Sequence, residues 1–264
     1  MNKYMVIGNP IDHSLSPKLH NYWIKKNNLN AYYEKRLINE NELKSIIQDI
    51  RDDKLQGANV TVPFKNLIIP YLDELSDEAK KTQSVNTIYK NNNKIIGHNT
   101  DIAGFKLALR YTKYDVRNKK VLILGAGGVV SSIVLALIEM NVSKIIISNR
   151  TKTRAENLKK LFNKLEIIEW GDKTDFDMII NATSIGLKKN DEIKIDFSQI
   201  EPNKFVYDVI YNPKLTNFLK KAGEYENRTE NGKMMFIYQA HQSFTIWHKL
   251  MPEINEETIN LLEK

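Results

Sequence analysis

The chain has 264 residues, 42% of them hydrophobic and 27% charged, a composition that reads as soluble and globular and leaves room for two domains with real cores. It contains no cysteine, so disulfides, thiolate metal sites and cysteine nucleophiles are excluded, and a cytoplasmic, reducing location fits. The net charge of +7 comes from lysines scattered among acids, with no basic stripe interleaved with aromatics; this argues against a nucleic-acid partner and suits a small anionic ligand.

The first hundred residues alternate strand and helix patterns. Residues 3–10 (KYMVIGNP) predict a strand and a turn, not a secretory signal. Residues 16–27 predict a helix with Ser16 as N-cap and Pro17 at the first helical position. A strand over 31–38 and an amphipathic helix over 41–53 follow. In GANVTVPFKN, residues 57–66, Val60 and Val62 alternate with Asn59 and Thr61, so an amide and a hydroxyl share one face and Lys65 lies just beyond. Period-two alternation by itself predicts a half-exposed edge strand with a solvated lysine. Residues 65–75 predict a helix bent at Pro70, with Lys65 near its start, where the helix dipole disfavours added positive charge. Residues 84–101 predict a hairpin around an Asn-rich turn, and 102–112 a connecting helix.

From Lys119 the texture changes. Continuous apolar runs at 119–125, 143–149, 177–186 and 204–213 alternate with helical stretches at 128–141 and 154–165, the pattern of a parallel sheet covered on both faces. Residues 235–251 and 255–264 close the chain as helices. Two α/β domains with a boundary near residues 101–104 result. Residues 121–138 carry no charge and approach the length of a membrane span, but the Gly-rich middle and the Ser131–Ser132 pair predict a strand, a tight turn and a buried helix instead.

Gly125, Gly127 and Gly128 lie between that strand and helix, where glycine allows backbone N–H groups to approach a pyrophosphate; Val130 stands where the usual pattern has Gly or Ala. A generic strand-to-helix turn has the same composition. The next strand ends at Asn149, the position where an NAD enzyme carries an acid for the ribose 2′-hydroxyl, and Arg150 and Arg154 follow. A missing carboxylate and two guanidinium groups favour a 2′-phosphate, hence NADP. The competing reading is the solvated start of a helix.

Polar residues gather at strand ends: Ser14 and Ser16 in HSLSP, Asn86 in SVNT, Asn99 and Asp101 in GHNTD, Tyr211 in YNP, Gln239 in YQA. Together with GNPIDHSLSPKLHN, GANVTVPFK, GAGG, SNRTKTRA and NATSIG, in this order and at similar spacing over nearly the full chain, they resemble the shikimate dehydrogenase family. The resemblance implies a substrate-binding and catalytic domain over 1–103 completed by 237–264, and a Rossmann-type NADP-binding domain with a parallel sheet over 104–236. It implies reversible NADP-linked interconversion of 3-dehydroshikimate and shikimate, and no metal; the expected assembly is a monomer or homodimer.

By the same resemblance Ser14 and Ser16, assisted by Tyr211, hold the substrate carboxylate. Asn59, Thr61, Asn86, Asp101 and Gln239 bind ring hydroxyls, and Lys65 paired with Asp101 is the acid/base group. Gly125, Ala126, Gly127, Gly128 and Val129 form the nucleotide loop; Asn149, Arg150, Thr151 and Arg154 grip the adenosine phosphate end; Asp77, Val209 and Met234 border the cofactor. Met234 stands where many relatives have glycine. Hydride reduction of a ketone leaves an alkoxide that needs a positioned acid, and amides and hydroxyls suit a polyol ring because they donate and accept. Two rivals remain: a quinate/shikimate dehydrogenase using NAD, which expects the missing acid at position 149, and a non-catalytic NADP- or aromatic-precursor-binding sensor.

Overall fold

The computed structural model describes residues 1–262. The chain forms two compact units, one of residues 1–104 together with the segment from Ile237 onward, the other Phe105–Phe236. The helix expected over 255–264 is present as Glu256–Leu261, and residues 263–264 lie outside the described residues.

The first unit is built on a six-stranded mixed sheet: β1 (Asn2–Gly8), β2 (Ala31–Leu37), β3 (Gly57–Val60), β4 (Glu74–Leu75), β5 (Thr87–Asn91) and β6 (Lys94–His98), in the order β2-β1-β3-β5-β6-β4. Pairing is parallel from β2 through β1 to β3 and between β4 and β6, and antiparallel around β5. The hairpin turn between β5 and β6 is Asn92–Asn93, both at positive φ (47° and 62°), the conformation a two-residue hairpin loop needs and asparagine tolerates. Helix α1 (Ser16–Lys26) follows β1, and α2 (Leu43–Arg51) follows β2. Leu43, Ile46, Ile47 and Ile50 of α2 recur at helical spacing and are all buried against Met5, Ile7, Val60 and Ile88. Each such side chain contributes about 1.5–3 kcal/mol of burial. Helix α8 (Lys233–His248) and α9 (Glu256–Leu261) return the C-terminus to this unit: the Trp247 indole donates to the Ile88 carbonyl at 3.0 Å. Gly57 makes room for it, since a Cβ there would lie 2.3 Å from the indole nitrogen.

Three expectations fail here. β3 is no half-exposed edge strand: it lies between β1 and β5 with all four residues buried, and the polar side chain of Asn59 tolerates burial because its amide is hydrogen-bonded at both ends. Residues 65–75 form successive turns, a single 3₁₀ turn at Ile69–Tyr71 and β4, because Pro70 lacks the N–H that would continue an α-helical ladder; α3 (Asp77–Thr82) begins only after Ser76, which caps it. Ser16 is the first helical residue rather than the N-cap; its backbone N–H is met by the Ser14 hydroxyl at 3.3 Å.

The second unit carries six parallel strands: β7 (Lys120–Leu124), β8 (Lys144–Ser148), β9 (Glu166–Ile168), β10 (Met178–Asn181), β11 (Phe205–Asp208) and β12 (Arg228–Glu230), in the order β12-β11-β10-β7-β8-β9. This is the doubly wound dinucleotide-binding order, reversing direction between β7 and β10. Helix α4 (Asp101–Thr112) leads into it, and α5 (Val130–Glu139), α6 (Lys152–Leu161) and α7 (Asn217–Glu224) complete it. The charge-free stretch 121–138 is divided between β7, the glycine turn and α5, and no helix among the described residues is long and apolar enough to cross a membrane. β4, β9, β12 and α3 carry no clear pattern in the sequence, whereas α7, absent from the expected helices, is amphipathic, with Phe218, Leu219 and Ala222 buried and Thr216 as its N-cap; the three strands have two or three residues each, and each sits at a sheet edge.

Candidate active site

β3 ends at Val60, and the chain turns through Thr61–Pro63 so that Lys65 comes back under cover, 8% exposed. No α-helix starts at Lys65, so the dipole argument does not apply; what faces its ammonium is a carboxylate. Lys65 Nζ lies 2.5 Å from Asp101 Oδ2, both side chains nearly inaccessible. Asp101 opens α4, where the unpaired N–H groups of a helix N-terminus favour an anion. Its own backbone N–H donates to Asn99 Oδ1 at 3.0 Å, and Asn99 is tied by its amide to the Ser84 carbonyl at 2.9 Å and Thr82 Oγ1 at 3.2 Å. The carbonyl of Lys65 accepts from the Val85 N–H at 2.9 Å, so both partners of the pair are anchored through their backbones.

Asn86 is the hub. Its amide nitrogen reaches Asp101 Oδ1 and Thr100 Oγ1, both at 2.9 Å, and Gln239 Oε1 at 3.4 Å; its amide oxygen accepts from the Thr100 N–H at 2.8 Å. Asn59 Nδ2 donates to the Asn86 carbonyl (3.0 Å) and Thr87 Oγ1 (3.1 Å), while its oxygen accepts from the Tyr33 hydroxyl at 2.7 Å. Lys65, Asp101, Asn86, Asn59 and Gln239 therefore form one connected polar network at the ends of β3, β5 and β6. Thr61 follows β3 directly, half-buried. Ser14 and Ser16 are 3.3 Å apart through their hydroxyls beyond β1. Tyr33, which lies in no motif, and Thr87 and Thr100, which lie inside SVNT and GHNTD but carried no assigned role, also belong to the network.

Asp77, assigned to the cofactor edge, is an exposed first residue of α3, 3.8 Å from Lys80. The other cofactor candidates are in the second unit. Gly125 leaves β7 at φ +111°, and a Cβ there would lie 2.8 Å from the Ala182 carbonyl oxygen, so only glycine fits. Ala126, Gly127, Gly128 and Val129 carry the turn into α5, whose first residue, Val130, is fully buried; the larger side chain has found a place in the core. Asn149 folds over its own loop, donating to the Thr151 carbonyl at 2.7 Å, and Arg150, Thr151 and Arg154 are exposed at the start of α6.

Val209 follows β11, Tyr211 stacks on Phe236 at 4.4 Å, and Met234 is buried in α8. Beneath Val209 lies Asp208, fully buried, accepting from Asn181 Nδ2 (3.0 Å), the Ile210 N–H (3.0 Å) and Thr216 Oγ1 (2.7 Å). Burial pushes its carboxyl up to about 6, against those three donors, which favour the anion. Asn181 and Asp208 tie together the loops that leave β10 and β11 beside the point where strand order reverses. Among the described residues no group of three or more His, Asp or Glu could hold a metal ion.

Comparison with known proteins supplies the lineage. A family model described as the shikimate dehydrogenase substrate binding domain matches residues 6–88, and one described as shikimate / quinate 5-dehydrogenase matches residues 106–189. The chain is 63% identical over 260 residues, 98% of each chain, to a shikimate dehydrogenase (NADP(+)) of Pelagibacter ubique (strain HTCC1062). Among solved structures it resembles shikimate dehydrogenase from Aquifex aeolicus (36% identity, TM-score 0.90, covering 100% of this chain and 96% of that one). It also resembles shikimate 5-dehydrogenase from Thermus thermophilus in complex with NADP(H) and shikimate (27% identity, TM-score 0.90, covering 100% and 99%). By its fold, its buried polar network and these likenesses, the chain belongs to the shikimate dehydrogenase family.

Proposed function

We propose that this protein interconverts 3-dehydroshikimate and shikimate with NADP(H), residues 1–103 and 237–264 binding the substrate and residues 104–236 the cofactor. The observation that carries the reading is the buried Lys65–Asp101 pair at 2.5 Å, set among amides and hydroxyls suited to a polyol. The second unit fits the cofactor on its own residues: a turn opened by Gly125, where a Cβ would strike the Ala182 carbonyl oxygen, two arginines after β8, and no acid at Asn149 to repel a 2′-phosphate.

When bound, reduced NADP supplies a hydride to the carbonyl carbon of the substrate. The ammonium of Lys65 gives a proton from Nζ to the carbonyl oxygen as it becomes an alcohol, and takes it back in the reverse direction. Asp101 holds Nζ in place and balances its charge, and Asn86 fixes the carboxylate by its second oxygen. Asn59, Thr61, Asn86 and Gln239 bind the ring hydroxyls, and Ser14 and Ser16 the carboxylate. Gly125 to Val129 receive the pyrophosphate; Asn149, Arg150, Thr151 and Arg154 receive the 2′-phosphate end. A cytoplasmic enzyme working as a monomer or homodimer completes the proposal, with light scattering after gel filtration as the check on assembly.

The test is an absorbance assay for NADPH consumption with 3-dehydroshikimate, run beside quinate with NAD. Turnover in the first pair is expected. Turnover confined to the second would overturn substrate and cofactor together, and tight NADP binding without turnover in either would make the protein a sensor.

A further inference from the structure

The proposed substrate contact Asn59 has almost no hydrogen-bonding capacity left. The Asn86 carbonyl can only accept, so the group 3.0 Å from it must be the Asn59 NH₂, which fixes the orientation of the amide. Its second hydrogen goes to Thr87 Oγ1 at 3.1 Å. Of the two lone pairs on Oδ1, one takes the Tyr33 hydroxyl at 2.7 Å. One acceptor position remains, and nothing that donates.

Tyr33 is itself rigidly held. It is 3% exposed on β2, its backbone is clasped in both directions by the Asn21 amide (2.7 and 2.9 Å), and its ring lies parallel to that of His20 at 4.2 Å between centroids. His20 is completely enclosed among Trp23, Tyr33, Phe244 and Trp247, and neither ring nitrogen has a hydrogen-bond partner. The imidazole therefore packs as a flat neutral plate and does not draw the tyrosine hydroxyl away from Asn59.

We propose that Tyr33 is a positioning residue that holds the acceptor-only amide of Asn59 in place and occupies one of its two lone pairs, so that this point of the site receives a substrate hydroxyl and rejects a ligand lacking one there. The proposal rests on the reading of Asn59 as a substrate contact. A site whose buried groups are paired in this way discriminates by leaving an acceptor unsatisfied when the hydroxyl is missing. Without the Tyr33 hydroxyl the oxygen gains a free lone pair and the amide loses one of its three anchors.

The experiment compares Tyr33→Phe with the parent enzyme in the shikimate-oxidising direction. The expected result is a rise in KM for shikimate of about tenfold, the effect of one ordinary hydrogen bond, with KM for NADP⁺ within about twofold. In an Asn59→Ala background the same change should add nothing to KM for shikimate, because the proposed effect of the Tyr33 hydroxyl passes through that amide. Thr87→Val, which frees one amide hydrogen instead, should give the same split and serves if Tyr33→Phe does not fold. Inhibition by 4-deoxy- and 5-deoxyshikimate provides the chemical readout: the parent should disfavour one of them strongly, and Tyr33→Phe should lose most of that preference. An unchanged KM for shikimate in folded variants, an equal rise for NADP⁺, or full additivity with Asn59→Ala would overturn the proposal. Absence of shikimate turnover in the parent would instead overturn the functional reading beneath it.

Discussion

Lys65 and Asp101 are 36 residues apart in the chain and 2.5 Å apart in space. Lys65→Met keeps most of the apolar stem and removes the proposed proton donor. General acid–base groups contribute about 10²–10⁴-fold, so kcat should fall by that order while shikimate and NADP⁺ still bind, as read by equilibrium fluorescence titration. A rate within about threefold of the parent would remove Lys65 from the chemistry. Stability should also drop, since taking one partner from a buried ion pair costs about 3–5 kcal/mol; the Asn86 amide and the head of α4 still face Asp101 and keep the loss toward the lower figure. The motif pair was readable as a string of letters, but Tyr33 was not. It reaches Asn59 because Tyr33 pairs with Tyr4, and Tyr4 with Gly57 two residues before Asn59, a register running through three strands that no local pattern encodes.

At the turn between β7 and α5, backbone geometry replaces side-chain chemistry as the determinant. Gly125 sits at φ +111° with the Ala182 carbonyl oxygen against the space a Cβ would fill. Gly125→Ala should cost about 1–3 kcal/mol of strain and displace the loop from β10, raising KM for NADP⁺ at least several-fold with KM for shikimate little changed. Steady-state kinetics with each substrate varied separately reads the difference, and equal effects on both would show a general loss of folding instead. The elements that periodicity found correctly, such as α2 and the continuous apolar strands β7, β8, β10 and β11, are those whose burial is one-sided or complete. The helix expected over 65–75 failed because its apolar residues Leu67, Ile68 and Ile69 are consecutive, and Pro70 breaks the ladder just after them.

The buried titratable groups of the two units respond to acid in opposite directions. In the first, burial pushes His20 down to about 3 and His248 to about 4, from an unfolded value near 6.5. As pH falls below 6.5 the unfolded segment takes up protons that the folded one refuses, so stability is lost through that range. In the second, Asp208 is raised to about 6. Between about 6 and about 3.9 the folded unit holds a proton that the unfolded chain lacks, so this group adds stability as pH falls. Denaturation at about pH 7 and about pH 4.5, on either side of the unfolded histidine value and of the raised Asp208 value, followed through Trp23 and Trp247 in the first unit and Trp170 in the second, should show the first unit's transition moving down further than the second's. His20→Phe should flatten the first unit's response; identical shifts in both units would refute the argument. Composition, the glycine turn, the missing acid at Asn149 and the apolar runs were enough for two α/β domains, one suited to NADP, because core burial and backbone freedom are written locally; the family was legible only through the resemblance of the ordered motifs. Which lysine meets which carboxylate, which way the Asn59 amide faces and which carboxyl ends up in the interior without a cation depended on strand register and helix placement, since hydrogen bonds and desolvation act across space between residues far apart in the chain.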